Sequence, residues 1–332
     1  MGKILITGGS GFIGTHLVSA LLQRGDNVIN LDTIEPKLKE HRQYWKNVDI
    51  CNAPALTDAI ESFQPDTVIH LAARTDLRGK SLAEYKSNTL GVENLLNALE
   101  KCSPSIRVIF TSSMYVCRPG KKPLTDDDYD PHTIYGESKV QTEKIIRQRQ
   151  PAYTYCIIRP TSIWGPHFGE PYKLFFSMVL GKKYFHLGKK ACRKTYGYVE
   201  NTIAQVFQLL EANDELINGK VFYLGDYEPY DITEWANEIG TIAGIKIPTI
   251  PFAVFRIAAY FGDALKTIGI TFPMTSFRLS NMTTDNIYDL TPIRSIAPQL
   301  PVNRSEGTRR TVRWMKTGET EPRPVKVAAA VH

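Results

Sequence analysis

The chain has 332 residues, of which 42% are hydrophobic and 22% charged, and these proportions are typical of a folded globular protein with a substantial core. The formal net charge is +6, but apart from a few short clusters the Lys and Arg residues are scattered and form no basic stripe with base-stacking residues. This excludes a nucleic-acid partner and leaves an anionic small molecule compatible. Five widely spaced cysteines without a C-x-x-C pair exclude a disulfide framework and favour a reducing, cytoplasmic location.

The first fourteen residues predict a nucleotide-binding turn. An apolar strand pattern at 3–7 stops abruptly at glycines, and apolar residues at helical spacing follow from Phe12. The glycines have the spacing of a dinucleotide-binding loop: Gly8, Gly9, Gly11 and Gly14. Surface turns also use glycine, but here a second strand follows and ends in the acid Asp32. We therefore predict a dinucleotide whose pyrophosphate faces the N-terminus of the first helix.

The remainder of the first half alternates between strand and helix patterns. After a polar loop at 33–47, strands are predicted at 48–50, 66–73, 106–113 and 155–159, and helices at 53–63, 81–101 and 135–150. Such alternation predicts an α/β fold of the Rossmann type, with a doubly wound parallel sheet. Ligands of such folds bind beyond the carboxyl ends of the strands.

The second half is less regular from Pro160 to about 196. Helices are predicted at 200–213 and 232–244, with a strand at 221–224 that rejoins the sheet. The apolar run at 252–272 contains charges, so we interpret it as an amphipathic helix pair and predict no membrane insertion. The predicted division is a dinucleotide-binding domain at 1–160 with about 197–226, a smaller C-terminal α/β substrate lobe at 161–196 and 227–317, and a flexible tail at 318–332.

Tyr135 and Lys139 are four residues apart and share one face of a predicted helix. A free tyrosine has a pKa of about 10, and a neighbouring ammonium favours the phenolate that a base requires. Ser113 ends the preceding strand and is placed to orient the same substrate oxygen. An exposed helix pair has the same spacing, but the dinucleotide turn favours the catalytic interpretation of these three residues.

Taken together, these segments resemble the extended short-chain dehydrogenase/reductases, in particular the nucleotide-sugar epimerases and dehydratases. The segments that carry the resemblance are 7–14, Asp32, 70–73, 88–96, 111–113, Tyr135 with Lys139, Arg159 with Pro160, 164–166 and 306–314. The family implies a homodimer formed through the helices at about 81–101 and 135–150.

The resemblance implies NAD as the cofactor. The residues that it assigns to cofactor binding are Gly8, Gly11, Phe12, Ile13, Gly14, Asp32, Asp49, Ile50, Leu71, Ala72, Ala73, Asn88, Ser112, Tyr135, Lys139 and Pro160. Asp32 is expected to bind the adenosine ribose and to repel a 2′-phosphate, which favours NAD over NADP. The nearby Lys37 and Lys39 leave NADP open as an alternative.

The substrate lobe matches the family less well. The candidate substrate-binding residues are Arg74, Ser113, Ser162, Arg193 and Arg278. The segment at 188–201 resembles the family's diphosphate-binding segment but lacks its acidic start, so Arg193 is either a phosphate contact or a surface residue. Where dehydratases carry an Asp-Glu pair, Met114 and Tyr115 follow Ser113, which disfavours dehydration.

No metal is predicted, since the histidines lack ligand spacing and the acidic run at 126–130 is interpreted as a solvated turn. The leading hypothesis is an NAD-dependent nucleotide-sugar epimerase that acts at C4, with Tyr135 as base, Lys139 tuning it and Ser113 orienting the hydroxyl. The alternatives are an NAD(P)-dependent reductase or dehydrogenase of a keto-sugar or an apolar alcohol, and a non-catalytic NAD-sensing scaffold.

Overall fold

The structure is a computed structural model that describes residues 2–103, 105–188, 191–267 and 275–320. Over these residues the strands are β1 (Lys3–Thr7), β2 (Asn27–Asp32), β3 (Trp45–Asn47), β4 (Thr67–His70), β5 (Arg107–Thr111), β6 (Thr154–Pro160), β7 (Ser162–Trp164), β8 (His186–Leu187), β9 (Arg193–Lys194), β10 (Tyr196–Tyr198), β11 (Lys220–Leu224), β12 (Tyr230–Asp231) and β13 (Thr249–Ile250). The α-helices are α1 (Phe12–Arg24), α2 (Ala53–Phe63), α3 (Leu90–Leu99), α4 (Ile134–Arg149), α5 (Tyr172–Leu180), α6 (Val199–Glu211), α7 (Asp214–Ile217), α8 (Ile232–Ala243), α9 (Phe252–Thr267), α10 (Ser276–Thr283), α11 (Thr291–Ile296) and α12 (Arg304–Thr317).

Seven strands form one sheet in the order β11-β6-β5-β4-β1-β2-β3. Every neighbouring pair in this sheet is parallel. The predicted α/β Rossmann-type fold is therefore confirmed, including the return of β11 to the sheet beside β6. Chain order reverses between β1 and β4, and this reversal is where an open parallel sheet binds its ligands.

Both faces of the sheet are covered by helices because successive strand residues point to opposite faces. On β1, Leu5 packs into the core with α2 and α3, whereas its neighbours Ile4 and Ile6 pack into the core with α1 and α6. The near-continuous apolar runs that predicted buried parallel strands thus reflect burial on both sides.

Aromatic side chains make the core of the second half. Trp164 at the end of β7 contacts Trp235 of α8, with ring centroids 4.8 Å apart, and both are fully buried. The carboxylate of Asp231 caps α8 by accepting hydrogen bonds from the backbone N–H groups of Thr233 at 2.8 Å and Glu234 at 3.2 Å. Three two-stranded ribbons, β7 with β10, β9 with β12 and β8 with β13, complete the described part of this half.

The strand predicted at 48–50 is wrong, since the strand that pairs with β2 is β3. The indole N–H of Trp45 donates to the carbonyl of Asp32 at 2.9 Å, which anchors β3 at the sheet edge. The apolar side chains of Val48 and Ile50, which suggested a strand, pack into the core with residues of α2 and α3. A 3₁₀ segment, Lys39–Tyr44, also interrupts the predicted polar loop.

The long helix predicted at 81–101 is divided in two. A 3₁₀ segment, Leu82–Asn88, precedes α3, and Thr89 between them has non-helical torsion angles of φ −120° and ψ −76°. The break occurs where the carbonyl of Asn88 accepts a hydrogen bond from the hydroxyl of Thr142 on α4 instead of continuing the helix.

The division of the chain into two domains stays a prediction. The segment 306–314, which carries part of the family resemblance, lies in α12, and Gly318 ends this helix in a left-handed conformation at φ 75°. Residues 321–332 of the predicted tail lie outside the described residues. Within the described part of the chain, no helix is both long and apolar enough to cross a bilayer.

Candidate functional site

The turn from β1 into α1 is packed so closely that glycine is required at two positions. Gly8 has a φ of +77°, and a Cβ there would lie 2.5 Å from the backbone nitrogen of Ala72 in the loop after β4. A Cβ on Gly14 would lie 2.5 Å from the carbonyl oxygen of Gly8. The helix, the turn and the neighbouring strand therefore meet backbone to backbone, as the glycine spacing predicts.

A residue that the sequence analysis missed holds this turn. The side-chain oxygen of Asn30 on β2 accepts a hydrogen bond from the backbone N–H of Gly9 at 2.8 Å, and its amide donates to the hydroxyl of Ser10 at 3.1 Å. Asp32, two residues on, accepts from the N–H of Ser10 at 3.0 Å and from that of Ile34 at 3.0 Å. The only signal in the sequence was a polar residue between the apolar residues Ile29 and Leu31 of the strand.

The residues at this edge fit a bound dinucleotide. Among the described residues no side chain caps the N-terminus of α1, so its first N–H groups face the turn and favour an anion. Three buried polar atoms at the ends of β4 and β5 have no hydrogen-bond partner within the described structure: Nε2 of His70 and the hydroxyls of Thr111 and Ser112. Such atoms are normally satisfied, and a polar ligand at the strand ends would satisfy them.

The structure brings the three predicted catalytic residues together. The hydroxyl of Thr133 caps α4 by accepting from the N–H of Gly136 at 3.0 Å, which sets Tyr135 in the first turn of the helix. Tyr135 is buried, and its hydroxyl interacts with the side chain of Ser113, which follows β5. Lys139 lies one turn further along α4, and its ammonium donates to the carbonyl of Thr111 at 2.8 Å.

Burial dominates the electrostatics of this set. It raises the pKa of Tyr135 to about 12, although the interaction with Ser113 opposes the shift. It lowers the pKa of Lys139 to about 8, which the nearby carboxylate of Glu143 opposes. Among the three predicted catalytic residues, Ser113 is the one that lowers the pKa of Tyr135 and so favours its phenolate. The tuning of Tyr135 by Lys139 stays a prediction.

Asn88 connects the loop after β4 to α4. Its side-chain oxygen accepts from the N–H of Arg74 at 2.8 Å, while its amide donates to the carbonyl of Arg74 at 3.0 Å and to the hydroxyl of Ser138 at 2.8 Å. Asn88 thus holds the backbone of Arg74, which directly follows the half-buried residues Leu71, Ala72 and Ala73. We infer that Asn88 positions these three residues through Arg74.

The remaining predicted cofactor residues lie at different depths. Pro160 is at the carboxyl end of β6, at the same edge as the glycine turn, where it pairs in register with Leu224. Asp49 is exposed and accepts from the N–H of Cys51 at 2.8 Å, whereas the side chain of Ile50 is buried in the core. A contact of Asp49 or Ile50 with adenine stays a prediction.

The predicted substrate residues are dispersed. Ser162 is buried with its hydroxyl 3.9 Å from the sulfur of Met114, next to Ser113 in the chain. The guanidinium of Arg74 pairs with Asp76 at 2.7 Å and with Glu84 at 3.2 Å.

The two remaining predicted substrate residues are arginines. Arg193 is exposed on β9, and its backbone N–H donates to Asp285 at 2.8 Å. The side chain of Arg278 lies outside the described residues, so its predicted contact stays a prediction.

Aromatic rings that the sequence analysis missed surround Tyr135. The ring of Tyr115 meets that of Tyr135 edge to face at 5.7 Å and stacks on His132 at 5.6 Å. On another side the ring of Tyr85 lies 6.1 Å from Tyr135, and the guanidinium of Arg74 lies 5.0 Å from the Tyr85 ring. No spacing in the sequence signals these contacts, because they join residues from separate loops and helices.

A Rossmann sheet with a glycine turn, an acid ending the second strand and a buried Ser-Tyr-Lys set defines an NAD-dependent enzyme of the short-chain dehydrogenase/reductase type. Residues 4–225 match the NAD dependent epimerase/dehydratase family, and the chain belongs to that family. The predicted family, the enzymatic nature of the protein and NAD as its cofactor are confirmed. Lys37, which had left NADP open, donates to the carbonyl of His167 at 3.0 Å.

Relatives in this family differ in their named activities. The chain is 30% identical to the 3-beta-hydroxysteroid dehydrogenase of Mycolicibacterium neoaurum, over 75% of this chain and 72% of the relative. It is 29% identical to the N-acetyl-alpha-D-glucosaminyl-diphospho-ditrans,octacis-undecaprenol 4-epimerase of Escherichia coli O157:H7, over 94% and 95%. Its fold is similar to that of the UDP-glucose 4-epimerase of Thermotoga maritima, with a TM-score of 0.73, 20% identity and coverage of 95% and 99%.

Proposed function

We propose that the protein is an NAD-dependent epimerase that inverts C4 of a nucleotide sugar through a transient 4-keto sugar. The observation that carries this proposal is the position of the buried Tyr135 beside Ser113, one helical turn from Lys139. These residues lie at the carboxyl ends of the sheet strands, where the glycine turn also lies. The 4-epimerase relative in E. coli matches nearly the whole chain, which supports the same reaction type.

In this proposal Tyr135 removes the proton of the C4 hydroxyl and later returns it, so the proton balance closes within one turnover. Ser113 holds the C4 oxygen by hydrogen bonding throughout. Lys139 places a positive charge near the phenolate of Tyr135 and orients the cofactor ribose. NAD, when bound, supplies the acceptor and donor for the C4 hydride. Met114 and Tyr115 follow Ser113 and offer no acid pair for elimination of water.

The experiment is an incubation of purified protein, without added cofactor, with nucleotide hexoses, N-acetylhexosamines and hexuronic acids. Proton NMR of the anomeric region is expected to show a second anomeric signal, which belongs to an isomer of the added sugar. The Tyr135→Phe variant should lose at least about a hundredfold in rate, because it removes the base. A matched control is Tyr153→Phe, which deletes a buried hydroxyl that has no hydrogen-bond partner in the described structure. Full activity in Tyr135→Phe would contradict the mechanism.

A second candidate is a dehydrogenase or reductase of an apolar alcohol or a keto-sugar. The observation that favours it is the position of the arginines, since Arg74 is engaged in ion pairs and Arg193 is exposed on β9. Neither is placed as a diphosphate clamp, and a steroid dehydrogenase is among the relatives. Stoichiometric consumption of added NAD(P)H or NAD(P) would identify this activity, whereas turnover without net consumption would identify the epimerase.

We also propose a cytoplasmic homodimer formed through α3 and α4. The exposed stripe of α3 carries Leu90, Glu93, Asn97 and Glu100, so such an interface would be largely polar. Light scattering should give the mass of two chains, and Leu90→Glu should shift it towards one chain. A monomer in the wild-type protein would refute this assembly.

A further inference from the structure

The helix α9 is apolar on two opposite sides. Through Phe255 and Ala259 it packs onto the β8–β13 ribbon and α10. The residues Val254, Ile257 and Tyr260 are spaced three apart, turn away from that core, and are 51%, 71% and 67% exposed. A helix that faces water on one side normally carries polar residues there, so this face is suited to an apolar environment.

Positive charge is concentrated in the parts of the sequence that contain this helix and the β8–β13 ribbon. Residues 170–196 and 244–288 carry eleven Lys and Arg against three Asp and Glu, although the whole chain has 40 against 34. The remainder of the chain therefore has a slight acidic excess. The segments that form α9 and the ribbon beneath it contain the entire positive balance of the protein.

The fold places several of these basic residues near one another. Because β8 and β13 are parallel, the turns that precede them lie at the same end of the ribbon. Those turns carry the exposed residues Lys182, Lys183 and Lys246, and Lys182 and Lys246 line one cavity of about 170 Å³. Arg256 is exposed on α9 itself.

We propose that this surface, formed by α9 and the lysines before β8 and β13, docks the protein peripherally on an anionic lipid bilayer. Exposed apolar side chains enter the boundary between headgroups and acyl chains, and the basic residues contact anionic headgroups. A second copy of the chain is a poorer occupant, since it would present the same positive charge. The docking is independent of the substrate assigned above.

The experiment is co-sedimentation of the full-length protein with vesicles of phosphatidylcholine, with or without 30% phosphatidylglycerol. The expected result is binding to the anionic vesicles that weakens as salt rises from low to physiological concentration. The double variant Val254→Asp/Ile257→Asp should bind at least about tenfold more weakly. Its control is Leu216→Asp, which places the same charge at an apolar position that is 50% exposed on α7. The triple variant Lys182→Gln/Lys183→Gln/Lys246→Gln should lose the preference for phosphatidylglycerol.

Equal melting temperatures of these variants and the wild type would show that the substitutions leave the fold intact. Unchanged vesicle binding by the double variant would overturn the proposal, as would no binding by the wild type. If the wild type bound no vesicles and the double variant also changed the mass in light scattering, the occupant of this surface would be a second copy of the chain. Turnover of a water-soluble nucleotide sugar is read separately, so failure of either proposal leaves the other testable.

Discussion

The guanidinium of Arg159 on β6 binds the carboxylate of Glu143 on α4 through two nitrogen atoms, at 2.8 Å and 2.7 Å, and both side chains are buried. The hydroxyl of Tyr129 donates to the same carboxylate at 2.9 Å. Glu143 lies one helical turn beyond Lys139 and raises the pKa of that lysine against the effect of burial. The pair therefore anchors α4 to the sheet and favours a charged Lys139.

Replacement of Glu143 by Gln should destabilise the protein by about 3–5 kcal/mol, because it leaves the buried guanidinium of Arg159 without a counter-charge. Urea unfolding measures this loss. The control Glu61→Gln breaks the exposed ion pair with Lys101 and should cost no more than about 1 kcal/mol. A double variant, Glu143→Gln/Arg159→Met, should regain part of the stability. Equal stability of Glu143→Gln and wild type would show that the pair does not anchor α4.

Asn30 should affect both stability and cofactor affinity. The variant Asn30→Leu leaves the N–H of Gly9 and the hydroxyl of Ser10 without their buried partners, which should cost about 1–3 kcal/mol. The glycine turn would loosen, and NAD should bind more weakly in a fluorescence titration of protein stripped of cofactor. Asn27→Ala, at an exposed position of the same strand, should change neither quantity. Wild-type affinity in Asn30→Leu would contradict this role for the side chain.

Those parts of the fold that depend on local patterns were predictable. The apolar run of β1 is buried on both faces, and α2 begins after Asn52, whose side chain caps it. By contrast, β3 has the mixed sequence Trp45-Lys46-Asn47, and it is a strand only because β2 offers a free edge for pairing. Tertiary pairing of that kind leaves no periodic pattern in the sequence.

The site divides in the same way. The proximity of Ser113, Tyr135 and Lys139 could be predicted because a strand end and one helical turn bring them together. The partners of Asn30 and Glu143 come from distant parts of the chain, so nothing local indicated their importance. Some predicted substrate contacts involve residues whose side chains are committed elsewhere, as with the ion pairs of Arg74, which sequence spacing does not reveal.

His70 should make stability depend on pH on the acid side. Burial, and secondarily the charge of Lys139, lower its pKa from 6.5 to about 3, so the folded protein keeps the ring neutral while the unfolded chain gains a proton. This stability is fully present above pH 6.5 and is lost as the pH falls towards 3. Between pH 6.5 and about 5 the loss should be about 2 kcal/mol.

The measurement for His70 is urea unfolding at several pH values, with His70→Asn as the comparison, because other groups titrate in both proteins. The difference between the two free energies of unfolding should change by the stated amount over that range. A constant difference would mean that the buried imidazole, which is hydrogen-bonded to Thr7 at 2.7 Å, accepts a proton as easily as in the unfolded chain.

Gly14 offers a direct test of the close packing beneath the predicted pyrophosphate. A methyl group there would meet the carbonyl oxygen of Gly8 at 2.5 Å and the Cα of Gly9 at 2.6 Å, and both are backbone atoms that cannot rotate away. Gly14→Ala should therefore cost about 1–3 kcal/mol in stability and weaken NAD binding, since the turn must move. Gly169→Ala is the matched control, because a Cβ at Gly169 meets nothing within 4 Å. If both variants unfold at the same urea concentration and bind NAD equally, the contact between α1 and the turn is not tight, and the requirement for glycine at this position must come from the approach of the ligand alone.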